Sequence, residues 1–197
     1  MKKFLHIGCG PQNKSHLIGF NSNEWQETRF DIDESVNPDI LGTLTDMSKV
    51  ASESMDAIYS SHNIEHVYAH EVPLALTEFR RVLKPDGFVI ITCPDLQSVC
   101  EAVANDKLLE PLYQSPAGPI SPIDILYGHR AYMQQGNLYM AHKCGFTYSS
   151  LTLTFLQMGF QSIIGARRPQ NFDLWIAAFK SETSESKMRE IAPSFFP

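Results

Sequence analysis

Phe4-Leu5-His6-Ile7-Gly8-Cys9-Gly10-Pro11 decides how the rest of this chain is read. Phe4, Leu5 and Ile7 around His6 have the pattern of a short buried strand, and Gly8 and Gly10 then permit a tight turn with exposed amides. A ligand can press directly against such a turn. Asp31 follows about twenty residues on, at the end of a second strand-like run over 28–33, where α/β nucleotide-binding folds place an acid against ribose hydroxyls. Gly-x-Gly alone is equally the mark of a structural turn, so the surrounding chain has to decide.

A chain of 197 residues suits one domain with a full core, and 43% hydrophobic with 19% charged residues is ordinary for a soluble globular protein. The formal net charge of -6 leaves no obvious basic face for a phosphate backbone, so no nucleic-acid partner is expected. Cys9, Cys93, Cys100 and Cys144 form no Cys-x-x-Cys pair and no zinc-ribbon spacing, which fits reduced thiols and a cytoplasmic location. The apolar run after Lys2 and Lys3 stops at Gly8, too short for a signal-peptide core. No stretch is long enough to span a bilayer, so no membrane partner is expected.

After the glycine turn, 12–25 fits a short helix or a wrapped loop. The next strand ends in Asp31-Ile32-Asp33, and 38–42 reads as a third strand. The gap between them is too short for the usual crossover helix, so either that helix is lost or a strand is misplaced. Met47, Val50 and Ala51 suggest a short helix over 46–53, and 56–60 a fourth strand. Val72, Leu76, Phe79, Val82 and Leu83 recur at helical spacing, with Pro73 suited to the first turn, predicting a helix over 71–83. Lys84-Pro85-Asp86-Gly87 stops it with a turn.

Residues 88–93 are apolar almost without a break and rich in β-branched side chains, as in a central parallel strand. Asp95 then caps a helix. The prolines of 110–121 argue against regular structure. The aromatic and polar mixture of 123–143 reads as an insertion covering a pocket. A last helix over 148–158, ended by Gly159, precedes two strands, 161–167 and 172–179, joined as an antiparallel hairpin. Residues 1–180 thus form one domain with a lid-like insertion at about 109–147, and 181–197 a polar tail, mobile or docked on a partner.

With these motifs in order, the chain resembles the class I S-adenosylmethionine-dependent methyltransferases, in particular the type 11-like branch with a Gly-Cys-Gly-Pro first motif and a Ser-His-x-x-Glu-His segment, here Ser61 to His66. The resemblance runs from about Phe4 to Leu96, and the closing helix and hairpin agree with it. It implies an α/β, Rossmann-like sheet, mostly parallel with an antiparallel closing hairpin and helices on both faces. It also implies S-adenosyl-L-methionine as cofactor. Gly8, Cys9 and Gly10 match the motif around the cofactor's methionine part, and Asp31, with Ile32 beside it, matches the acid on the ribose. Asp33 is a second candidate for that acid. Family members often carry an acid for the adenine amine where this chain has Thr43; Thr43 or Asp46 must substitute, with the amide of Leu44 donating to the ring. Ser61 and His62 match residues lining the methyl side. Departures from the family are His6 in place of an acid and Asn13 near the position of a third glycine.

The expected activity is transfer of a sulfonium methyl to a small-molecule acceptor. His62 and His142 are the candidate bases, because imidazole titrates near neutral pH. Tyr127, His129, Tyr139 and His142 are expected to form the acceptor wall. His62-Asn63-Ile64-Glu65-His66 also spells the inverted zinc-peptidase signature, with His70 one further turn on. A metal would need a third ligand and an open position, and the same residues belong to the methyltransferase pattern, so no metal ligand is assigned. His66 reads as a helix-start residue that packs or hydrogen-bonds, and Cys9 and Cys93 as packed thiols. Two other functions remain compatible: a methyltransferase fold kept as a non-catalytic regulatory or scaffolding subunit, which Thr43 favours, and an NAD-dependent oxidoreductase, which shares Gly8-x-Gly10 and Asp31 but lacks the third glycine.

Overall fold

A computed structural model describes residues 1–197. Five strands run parallel: β1 (Lys2–Ile7), β2 (Trp25–Asp31), β3 (Ile40–Leu41), β4 (Met55–Ser61) and β5 (Leu83–Pro94). β6 (Tyr113–Ser115) and β7 (Gly118–Ile120) make a separate small hairpin, while β8 (Ser162–Arg168) and β9 (Asp173–Phe179) close the main sheet in antiparallel sense. The sheet order is β3-β2-β1-β4-β5-β9-β8. This is the Rossmann-like methyltransferase architecture expected above.

Alternation along the strands divides the core in two. Leu5, Ile7, Ile58, Val89, Ile91 and Ile176 point to one face and pack under α1 (Val72–Val82) and the later helix 148–157. Phe4, Tyr59, Ile90, Trp175 and Phe179 point to the other. On that second face the β1–β2 and β2–β3 connections carry only 3-10 turns, Lys14–His16 and Glu34–Val36. The crossover helix is therefore lost, and the third strand is not misplaced but only two residues long. A sheet face rich in aromatics still has to be covered.

The cover comes from the end of the chain. After α2 (Leu96–Ala104), α3 (Pro122–Tyr127), α4 (Arg130–Gln134) and α5 (Tyr148–Gln157), the last helix α6 (Glu185–Ile191) leads into Ala192 and Phe195, both buried against Phe20, Trp25 and Phe88. The expectation of a tail that is mobile or docked on a partner is corrected: 185–196 dock on the chain's own sheet. Polar spacing hid this, because the docking side chains, Met188, Ile191, Ala192, Phe195 and Phe196, are scattered among polar residues.

Two local expectations also change. Residues 46–53 form turns instead of a helix, because α1 captures their backbone: Glu78 accepts from the Met47 amide, and Arg81 donates to the carbonyls of Met47 and Val50. The proline-rich 110–121 contains the β6–β7 hairpin, turned at Pro116-Ala117 with Gly118 at φ +110°. Lys84–Gly87 is a bulge within β5, since Leu83 pairs with Met55 and Phe88 with Ala57. No helix is long and apolar enough to cross a membrane.

Candidate functional site

Strand order reverses between β1 and β4, and ligands of open α/β sheets bind outside the carboxyl ends of the strands at such a point. One wall is the turn after β1. Gly8 and Gly10 take φ of +62° and +51°, which side chains disfavour. This conformation aims the Gly10 amide at Asp31 Oδ2, 2.8 Å away, while Asp31 Oδ1 accepts from the Asp33 amide at 2.9 Å. A carboxylate offers about four lone-pair directions, so Asp31 keeps capacity for a vicinal diol. Nothing lies within 4 Å of the position a Gly10 Cβ would take, leaving that side of the turn open. Asp33, in contrast, spends its side chain on the Ser35 amide at the start of the next turn.

Arg29 holds this wall in place. Its guanidinium donates to the carbonyls of Gly10, Gln12, Val36 and Asn37, tying the loops after β1 and β2 to each other. Half-buried Glu27 adds a second tie, bonding His6 Nδ1 at 2.7 Å and the Lys14 amide at 2.9 Å. Burial pushes the Cys9 thiol up to about 11, so it packs as a neutral group beside Asp31 and is no nucleophile. Sequence reasoning missed Arg29; its only signal was a cation inside a strand leading to an acid.

Beyond β3, Thr43 Oγ1 accepts from the Asp46 amide and so closes its own turn. Leu44 is buried in the core, but its amide donates to no protein acceptor. Ile32 stands exposed at the rim. The opposite wall is the end of β4. Ser61 is half-buried, and His62 adopts φ +50° with its amide bonded to the Thr92 carbonyl at 2.9 Å. Asn63, which the sequence did not single out, donates from Nδ2 to the Ile7 carbonyl at 3.0 Å and lies where a Gly8 Cβ would be. It joins the strands across the switch point, and explains why position 8 must be glycine.

The second half of the site is built around Glu65. Its carboxylate is 1% exposed, and neither oxygen has a hydrogen-bond partner of acceptable geometry, although His62 Nδ1 lies 3.4 Å from Oε1. His62 itself is 49% exposed. Desolvation works against its charged form, but Glu65, with a smaller contribution from Asp173, outweighs this and raises the imidazole above its ordinary value. Burial likewise pushes Glu65 up, and the surrounding imidazoles of His62, His66 and His142 more than offset it, holding the carboxyl below the usual range.

His142 reaches this group from the insertion. The amides of Lys143 and Cys144 donate to the Glu65 carbonyl, and Cys144 Sγ to that of Ile64, locking the two segments together. His142 Nδ1 lies 2.6 Å from the Ile125 carbonyl, and His66 Nδ1 3.1 Å from that of Ala141; the two rings meet edge to face at 4.8 Å. A cleft of about 300 Å³ opens here, lined by Glu65, Leu126, Tyr127, His142 and Lys143 among others. Of the four residues expected in an acceptor wall, Tyr127 and His142 line this cleft. His129 and Tyr139 do not: His129 caps α4 by accepting from the Tyr132 amide, and Tyr139 is exposed outside the cleft. His70 also leaves the group, since the turn Ile64–His66 does not continue as a helix.

Residues 5–91 match the model of a family described as "Methyltransferase domain". No curated protein matches the chain. Among solved structures, the chain is similar to the citrinin polyketide synthase CMeT domain at 12% identity and TM-score 0.57, covering 92% of this chain and 47% of that one. It therefore spans about half the length of that protein. A SAM-dependent methyltransferase from Archaeoglobus fulgidus matches at 14% identity and TM-score 0.58, over 91% of this chain and 86% of that one. The Burkholderia thailandensis 1,6-didemethyltoxoflavin-N1-methyltransferase, solved with 1,6-didemethyltoxoflavin and S-adenosylhomocysteine bound, matches at 14% identity and TM-score 0.57, over 91% and 71%. At these identities what is shared is the fold.

Proposed function

We propose that this protein is a methyltransferase that uses S-adenosyl-L-methionine and acts on a small molecule held in the cleft beside Glu65 and His142. The observation that carries the reading is the meeting of the Gly10 amide and the Asp31 carboxylate at the switch point of the sheet, with lone pairs of Asp31 left over for a ribose diol. The match over residues 5–91 and the shared fold support it. Thiols that all stay unpaired fit a reducing compartment such as the cytoplasm.

When bound, S-adenosylmethionine would supply an activated methyl carbon to which the acceptor lone pair bonds in line as the carbon–sulfur bond breaks, with S-adenosylhomocysteine as the leaving group. The chain's part is to hold donor and acceptor close and to exclude water. Asp31 anchors the ribose, the free Leu44 amide meets the adenine edge, and the Gly8–Gly10 turn supports the amino-acid end. Ser61 ends β4 and His62 follows it at the switch point, and His62 Nδ1 lies 3.4 Å from Glu65, which lines the acceptor cleft. Where the acceptor is a hydroxyl, its proton has to leave. His62 takes it, with Glu65 stabilising the imidazolium that forms, and Tyr127 and His142 shape the wall opposite.

Thr43 favours a second reading, a scaffold that retains cofactor binding without turnover. A screen of hydroxylated and amine-bearing small molecules with methyl-labelled donor separates the two. Label transferred to an acceptor, with matching S-adenosylhomocysteine, supports the enzyme. Tight cofactor binding with no transfer to any acceptor supports the scaffold.

A further inference from the structure

We propose that Glu65, His66 and His142 form a binding site for a divalent transition-metal ion, with an open coordination position facing the cleft. One nitrogen of each imidazole and one carboxylate oxygen lie within 4.8 Å of one another. Ligands on tetrahedral zinc stand roughly 3.3 Å apart, given metal–ligand bonds of about 2.0–2.1 Å, so modest side-chain rotations bring the three onto one ion.

Three further features point to a cation. First, a carboxylate at 1% exposure with no hydrogen-bonded partner on either oxygen is costly; His62 Nδ1 stands 3.4 Å from Oε1, and His66 and His142 make no ion pair with it. The two rings touch each other edge to face at 4.8 Å, and one ligand atom of each lies within 4.8 Å of a Glu65 oxygen without a hydrogen bond to it. Second, both histidines direct Nδ1 at a backbone carbonyl, His66 at Ala141 and His142 at Ile125. A carbonyl only accepts, so Nδ1 carries the hydrogen, and in the neutral ring Nε2 keeps its lone pair. This is the second-shell arrangement that orients metal-binding histidines.

Third, the site joins two parts of the chain that are separately fastened. Glu65 and His66 lie in the turn after β4, and His142 is brought in by the amides of Lys143 and Cys144 on the Glu65 carbonyl. Glu65 and His142 both line the cleft, so an ion held by them presents its remaining position to whatever occupies it. Two imidazoles and one carboxylate suit zinc, manganese, iron(II), cobalt or nickel better than magnesium or calcium. An oxygen-bearing ligand, a hydroxyl, a diol or a carboxylate, is the class that would complete the coordination. That this ligand is the methyl acceptor rests on the function proposed above; the binding of metal does not.

The test is titration of cobalt(II), followed by visible absorption, into the full chain freed of metal by chelator. Saturation at one ion per chain, reversal by zinc but not magnesium, and at least a tenfold loss of affinity in both Glu65→Gln and His142→Gln, would support the site. Absence of binding at millimolar cobalt, or equal affinity in both variants, would overturn it. So would a thiolate charge-transfer band that Cys144→Ser removes, which places the ion elsewhere. Ring-nitrogen NMR of the unmutated protein covers the case of a variant that fails to fold. Zinc must shift the Nε2 signals of two histidines with their Nδ1 protons retained, and unmoved signals refute the proposal. S-adenosylhomocysteine binding, measured separately, reports on the methyltransferase reading alone.

Discussion

The amide of Gly10 donates to Asp31 Oδ2 at 2.8 Å, so the turn after the first strand and the acid ending the second meet at one place. Everything proposed for the cofactor depends on that geometry, and it sets constraints on the residues around it.

Gly8 stands at φ +62°, and a Cβ there would fall 1.2 Å from Asn63 Nδ2. Gly8→Ala therefore imposes both backbone strain and displacement of Asn63 from the Ile7 carbonyl. We expect a loss of about 1–3 kcal/mol in stability, read by urea denaturation, together with loss of cofactor binding. An unchanged midpoint would contradict the close approach.

Arg29 supports the crevice without being proposed to touch the ligand. Because its planar fork reaches four carbonyls, Arg29→Met should weaken S-adenosylhomocysteine binding by about 1–3 kcal/mol. Arg29→Lys should recover only part of this, since a single ammonium cannot span both loops. Full recovery by lysine in a binding titration would reduce the residue's role to its charge.

Phe195 is 6% exposed and packs on Phe20 at 4.6 Å and Phe88 at 5.4 Å between ring centroids. Phe195→Ala should cost about 3–5 kcal/mol by the cavity it opens. Chemical denaturation tests this. A change below 1 kcal/mol, small beside the usual cost of such a truncation, would mean that the end of the chain is not part of the core.

The insertion carries its own pH dependence. Burial pushes the Asp124 carboxyl up, but the Arg130 guanidinium and the Ser121 and Arg130 amides outweigh it and hold the group below the usual range. A depressed native value means stability that is present above about pH 4 and lost as pH falls through the native value. Asp124→Asn should therefore lower stability at neutral pH and flatten its decline in acid, measured by denaturation between neutral and strongly acidic pH. An unchanged acid slope would contradict the ion pair.

Strong local signals explain what was legible in the sequence. The apolar runs of β1 and β5, the spacing of Val72 to Val82 and the cap at Asp95 each agree with the fold around them. Gly8, Gly10 and Asp31 were legible because a turn and an acid at fixed spacing have few other uses together. What stayed hidden depends on distant partners. Residues 46–53 lost their helix to Glu78 and Arg81, and Phe195 finds its contacts more than a hundred residues away, at Phe20 and Phe88. The same holds for the pairing of Glu65 and His66 with His142. The H-x-x-E-H segment supplies Glu65 and His66 to the cluster, and the third group, His142, reaches it only because the insertion folds back.

The most direct test is calorimetric titration of S-adenosylhomocysteine into the protein and its Asp31→Ala variant. The account predicts saturable binding of one ligand per chain, weakened by about 1–3 kcal/mol when the carboxylate and its hydroxyl hydrogen bonds are removed. No heat of binding at millimolar ligand, or equal affinity for both proteins, would contradict it.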